Sequence, residues 1–182
     1  MLDGPLRHLK DAVLRPAARL VGGFVSPTAI TLLAAACGIA AAAALFPGWQ
    51  VAALLLFALN RILDGLDGLI ARETGQQSDT GGYLDIVLDF LVYVIIPLSL
   101  TANYGSGERS WVLLSLLFAA FYLNAVSWMY LGGLLEKRRA AGVSPTSLTM
   151  PRGLVEGAET ILLFGLMLLV PSWLDGLLLV MA

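Results

Sequence analysis

Long apolar runs alternate with short polar breaks along most of the chain, but the first 22 residues follow a different pattern. There, Leu2, Leu6, Leu9, Val13, Leu14 and Leu20 recur at roughly helical spacing among Arg7, Lys10, Arg15 and Arg19. An apolar stripe bordered by basic residues predicts an amphipathic helix over 1–22, lying on the membrane surface with its charges toward anionic lipid. The plainer reading of the same residues is a basic topology anchor. The charges interrupt the stretch where a cleavable signal peptide keeps its apolar core, so 1–22 is not read as one.

Beyond residue 22, a helix needs about 20 apolar residues to cross a hydrocarbon core about 30 Å thick. Runs of that order occupy 29–46, closed by Pro47-Gly48, then 51–71, 82–102, 111–135 and 154–170, closed by Pro171. Residues 172–182 are apolar after Asp175 but too short for a full span, so they are expected as a truncated sixth segment. The expected architecture is all-α, with a surface helix over 1–22 and a membrane bundle of six transmembrane segments, the last one short, over 23–182.

Composition narrows the class. Apolar residues make up 58% of the chain and charged residues 13%, with a mean hydropathy of +0.83. Soluble domains are about 25% charged, which excludes an ordinary soluble globule, and disorder requires low hydrophobicity. A net charge of −2 argues against a nucleic-acid binder held by a basic surface. Cys37 is the single cysteine, so an internal disulfide or a cysteine-based metal site is excluded by count.

Basic residues set the expected orientation. If the spans alternate, nine Lys and Arg fall on one side: Arg7, Lys10, Arg15, Arg19, Arg72, Lys137, Arg138, Arg139 and Arg152. Arg109 alone falls in a loop on the other, and Arg61 lies inside the second run. The N-terminus and the loops 72–81 and 136–152 are therefore expected in the cytoplasm. Trp111, Trp128 and Trp173 read as interface or packing residues.

Ionisable residues within membrane segments are functional candidates by default, and here they are concentrated. Asp64, Asp67, Gly68, Ala71 and Arg72 stand at i, i+3, i+4, i+7 and i+8, one face of one helix. Gly81, Asp85 and Asp89 stand at i, i+4 and i+8, again one face. The intervening stretch, 73–80, is short and polar, so the two helices are expected as antiparallel neighbours with four carboxylates converging near the cytoplasmic edge. Such a cluster calls for compensation by one or two divalent cations, and carboxylate oxygens suit Mg²⁺ or Mn²⁺, which also bind substrate phosphates. The only histidine, His8, is remote in sequence, which argues against a histidine zinc site. Gly68, Ala71, Gly81 and Gly82 either let helices pack closely or leave room for a flat ligand. Arg72 can grip a phosphate or serve as a topology charge.

Together, residues 64–89 read D-x-x-D-G-x-x-A-R, eight residues, then G-x-x-x-D-x-x-x-D. This resembles the signature of the CDP-alcohol phosphotransferase family, matched at Asp64, Asp67, Gly68, Ala71, Arg72, Gly81, Asp85 and Asp89. The six-segment layout and surface helix extend the resemblance to nearly the whole chain. Ser26-Pro27-Thr28-Ala29-Ile30-Thr31 is similar to the family's Pro-Asn-x-x-Thr stretch, with Thr28 in place of the Asn.

The resemblance implies transfer of a phospho-alcohol group from a CDP-alcohol, in the first instance CDP-diacylglycerol, to a small hydroxyl acceptor with release of CMP. It implies that Asp64, Asp67 and Asp85 hold Mg²⁺ or Mn²⁺ ions, two in number. It gives Asp89 a share in the second ion and the role of general base. Pro27, Thr31, Asp67, Gly68, Ala71, Arg72 and Gly81 fall to the donor, with Gly68 and Gly81 making room for cytidine. It also implies a homodimer among membrane lipids. Arg139, Arg152 and Glu156 are candidates for the acceptor. Glu156 and Glu159 can alternatively pair with Arg152 or Arg61. In glycerophosphate-using members the final Asp is typically followed by Lys; Phe90 follows here, which disfavours that acceptor. Two other classes also use membrane carboxylates. A divalent-cation transporter should show internal repeats, and the Asp pattern is not repeated. A prenyl transferase normally carries a second Asp-rich motif, and none follows Asp89.

Overall fold

Local chemistry at the polar breaks fixes where the helices begin and end. Ser26 accepts a hydrogen bond on Oγ from the Ala29 N–H (3.3 Å), with Pro27 preset for the first turn. Ser78 repeats the device, accepting from the Gly81 N–H (3.1 Å). Gly75 stops the preceding helix in the left-handed region, φ +68°, where a side chain would be strained. The computed structural model describes residues 3–140 and 157–182, with residues 3–11 and Arg139 by their backbone alone. The helices are α1 (Asp3–Val21), α2 (Pro27–Ala44), α3 (Gln50–Thr74), α4 (Asp79–Tyr104), α5 (Glu108–Ala140), α6 (Gly157–Leu169) and α7 (Leu174–Met181). A single 3-10 turn, Pro171–Trp173, precedes α7, and no strand occurs among the described residues.

The chain is an all-α membrane bundle. By length and apolar composition α2, α4 and α5 can each cross a membrane. α6 and the segment after it qualify only as a pair, and that pair is bent by 116°. Six helices do follow α1, but the described residues thus hold three such spans, or four with the bent pair, rather than six. α3 is long enough, 25 residues or about 37 Å at 1.5 Å per residue, yet it carries Arg61, Asp64, Asp67, Arg72 and Glu73. The expected truncated sixth span is a fold-back arm. Pro171 interrupts the helix, and Asp175 pins the arm to the α4–α5 turn by accepting from the hydroxyls of Ser106 (2.6 Å) and Ser110 (2.5 Å).

Packing decides which helices are neighbours. α3 runs through Thr74 and α4 begins at Asp79, so the connection is 75–78 rather than the expected 73–80. Despite that tight turn, α3 and α4 make little backbone approach to each other; α2 packs extensively against both. A Cβ at Gly38 on α2 would stand 2.5 Å from Val92 Cγ2, so a glycine is what lets α2 meet α4. Away from the site, Phe57, Val92, Ile96, Leu117, Phe164 and Leu178 join α3 to α7 in the main core. α1 rests on α3 through Ala18, against Leu66, Leu69 and Ile70. Arg15 and Arg19 reach Glu73 at 3.2 and 3.5 Å.

Candidate active site

Because α2 keeps α3 and α4 apart, a cavity of about 180 Å³ opens between them. Asp67, Gly68, Ala71 and Arg72, on one face of α3, form one wall. Gly81, Gly82 and Asp85 come from α4, and Pro27, Thr28 and Thr31 from α2. Gln76, Gln77 and Ser78 of the connecting turn complete it. The glycines are not seams between helices. A Cβ at Gly68 would meet only Arg72 Nη1, at 3.3 Å, and one at Gly82 would meet nothing within 4 Å. Both leave open surface.

The carboxylates divide between this cavity and a narrow crevice beside it. Asp67 is 3% exposed. It accepts a hydrogen bond from the Thr31 hydroxyl at 2.6 Å, and that hydroxyl also lies 3.1 Å from the Pro27 carbonyl. Asp85 and Thr31 border both spaces. Asp64 and Asp89 line the crevice with Asn60 and Arg61. Arg61 crosses from α3 to α4 and forms an ion pair with Asp89, Nη1 to Oδ1 2.6 Å. Its Nε donates to Asn60 Oδ1 at 2.7 Å and its Nη1 to the Tyr93 hydroxyl at 3.3 Å. Asn60 in turn donates to the Ala34 carbonyl of α2 at 2.8 Å. The donor set is oxygen-only and anionic, the kind that hard divalent ions take. Among the described residues, though, no three such side chains are gathered as a finished metal cluster. The separation of α3 from α4 accounts for this looser arrangement, where the sequence suggested facing neighbours.

A sequence model of CDP-alcohol phosphatidyltransferases matches residues 24–181. The chain belongs to the CDP-alcohol phosphatidyltransferase family. Its enzymes use CDP-alcohol donors and alcohol acceptors, which sets aside the transporter and prenyl transferase readings. The chain is 38% identical over 151 residues to the inner membrane protein YnjF of Escherichia coli (strain K12), covering 82% of this chain and 72% of that one. It is 31% identical over 168 residues to the phosphatidylinositol phosphate synthase of Streptomyces avermitilis, covering 90% and 64%. It is 41% identical over 88 residues to the archaetidylinositol phosphate synthase of Aeropyrum pernix, covering 46% and 44%.

Pro27, Thr31, Asp67, Gly68, Ala71, Arg72 and Gly81, the residues expected on the donor, all line one cavity. Asp64, Asp85 and Asp89 share the crevice next to it. Arg152 and Glu156 lie outside the described residues, and Arg139 is described by its backbone alone in the last turn of α5. The sequence reading missed Arg61 as a partner of Asp89, together with Asn60, Tyr93 and the polar turn 76–78. A signal for Arg61 existed: it stands three residues before Asp64, on the same helical face.

Proposed function

We propose that this protein transfers the phosphatidyl group of CDP-diacylglycerol to a small hydroxyl acceptor at the cytoplasmic edge of the membrane, releasing CMP. The observation that carries the reading is the shared cavity: six motif positions and three α2 positions, from three helices, border one open space. Mg²⁺ or Mn²⁺, held by Asp64, Asp67 and Asp85 with a share from Asp89, would supply positive charge to offset the donor pyrophosphate. Arg72 grips a donor phosphate, and Gly68 with Gly82 leaves bare surface for the nucleotide. Thr31 holds the Asp67 carboxylate in place.

In the transfer, the acceptor oxygen forms a bond to the lipid phosphorus. The bond from that phosphorus to the CMP oxygen breaks and its electron pair leaves with CMP. Asp89 takes the acceptor's hydroxyl proton. The apolar helices keep the lipid tails in the bilayer while the polar turn 76–78 faces the nucleotide side.

The test is CMP release by purified protein from CDP-diacylglycerol, with and without Mg²⁺ or Mn²⁺, across inositol phosphate, serine, glycerol phosphate and other polyols. The names of two relatives make inositol phosphate the first acceptor to try. Metal-dependent CMP release with a matching lipid product is expected. No release with any acceptor would overturn the assignment.

A further inference from the structure

The motif accounts for the carboxylates but not for the cation among them. Arg61 lies outside the D-x-x-D-G-x-x-A-R pattern, yet its side chain is only 7% exposed. Burying a guanidinium is costly unless its charge and donors are matched. Here several groups match them, with Asp89 and Asp64 supplying the opposite charge. Arg61 pairs with Asp89 at 2.6 Å and ties itself to Asn60 and Tyr93. Its guanidinium carbon lies 5.7 Å from the Phe57 ring centroid and 5.3 Å from that of Tyr93, within cation–π range. Asn60 is itself fastened to the α2 backbone at Ala34. Such a fixed arginine is not available to seize an incoming phosphate. It is built to hold something in place.

What it holds is half of one carboxylate. Asp89 Oδ1 is buried, whereas the Asp89 side chain as a whole is 25% exposed, so its exposure lies away from the atom that Arg61 engages. The geometry points to Arg61 as a positioning residue that anchors Asp89 by Oδ1 and presents Oδ2 to the acceptor hydroxyl. This inference rests on the proposed transfer and on Asp89 as its base. Arg61 also places one fixed positive charge in a crevice that holds Asp64, Asp85 and Asp89, and so opposes rather than assists the binding of a divalent cation there.

These two effects separate Arg61 from a general scaffold residue. In detergent-solubilised full-length protein, Arg61→Gln should lower kcat by about 10²-fold, the cost of a misplaced reacting group. The donor KM should stay within a few-fold, because the donor cavity does not include Arg61. Without substrate, Mn²⁺ affinity measured by EPR titration should be unchanged or tighter. Arg61→Lys keeps the charge but cannot reach Asp89, Asn60 and Tyr93 at once. It should bind Mn²⁺ like the wild type and turn over at a rate between the wild type and Arg61→Gln. If Arg61→Gln fails to fold, Arg61→Lys carries the same test, with a partial kcat loss at constant KM and constant Mn²⁺ affinity. Wild-type kcat in the variants would overturn the inference, as would a parallel loss of kcat, donor affinity and Mn²⁺ binding. If the wild type itself releases no CMP, the proposed transfer fails and the inference falls with it; an active wild type with indifferent variants sinks the inference alone.

Discussion

Gly68 and Asp89 show how single positions divide binding from chemistry. Gly68 lines the cavity, and a Cβ there would meet only Arg72 Nη1, at 3.3 Å. Gly68→Leu should therefore fold normally, and the helix should gain up to about 1 kcal/mol from replacing glycine. The same change should raise the donor KM by about tenfold, or about 1.4 kcal/mol of lost binding. Thermal unfolding and steady-state kinetics on the purified variant check both halves; a large loss of stability would return Gly68 to a packing role. Asp89→Asn keeps the shape and removes the base, so turnover should fall by about 10²–10⁴-fold. Donor affinity should change little, since Asp67 and Asp85 remain on the cavity wall. Direct CDP-diacylglycerol binding alongside single-turnover rates decides this; a parallel loss in both would make Asp89 chiefly a metal ligand. The motif residues were legible because helical spacing alone puts them on one face. Arg61 was legible only as a neighbour of Asp64 on that face; its pairing with Asp89, 28 residues away on another helix, was not.

At the scale of elements, the tight α3–α4 connection misled and small residues on α2 corrected. A four-residue turn fixes where two helices meet, not whether their lengths pack together. α2 presents Ala34, Ala35, Gly38, Ala41 and Ala42 as buried positions, and such small residues let a membrane helix approach its neighbours closely. It therefore takes the place between α3 and α4, and the cavity follows from that displacement. Gly38→Val tests the wedge. Its Cβ alone would stand 2.5 Å from Val92 Cγ2 and 3.3 Å from Asn60 Nδ2. Overpacking of this kind costs about 1–3 kcal/mol, and the displaced Asn60 is the partner of Arg61. A lowered unfolding temperature together with reduced turnover is expected. Unchanged values in both would mean that α2 and α4 separate without consequence. The arm at α7 was legible as a short apolar segment, but its direction was not. That direction depends on Pro171 and on the contact of Asp175 with Ser106 and Ser110, residues far apart in the chain.

At the scale of the whole molecule, the two ends of α4 report which side of the membrane the cavity faces. α4 is long and apolar enough to span, so its two ends report opposite surfaces. Gln77 is exposed beside its N-terminus and lines the cavity. Glu108 is exposed just beyond its C-terminus, at the start of α5. The nine-to-one bias of Lys and Arg, counted on alternating spans, predicts the Gln77 end in the cytoplasm. In a Cys37→Ala background, Gln77→Cys should react with an impermeant thiol reagent only in inside-out vesicles, and Glu108→Cys only in right-side-out ones. Because Gln77 borders the proposed nucleotide space, CDP with Mg²⁺ should also slow labelling at Gln77→Cys and leave Glu108→Cys unaffected. Labelling of Gln77→Cys from the outside would invert the topology and separate the cavity from cytoplasmic CDP-alcohols. Correct sidedness without protection by CDP would keep the orientation and remove the turn 76–78 from the donor site.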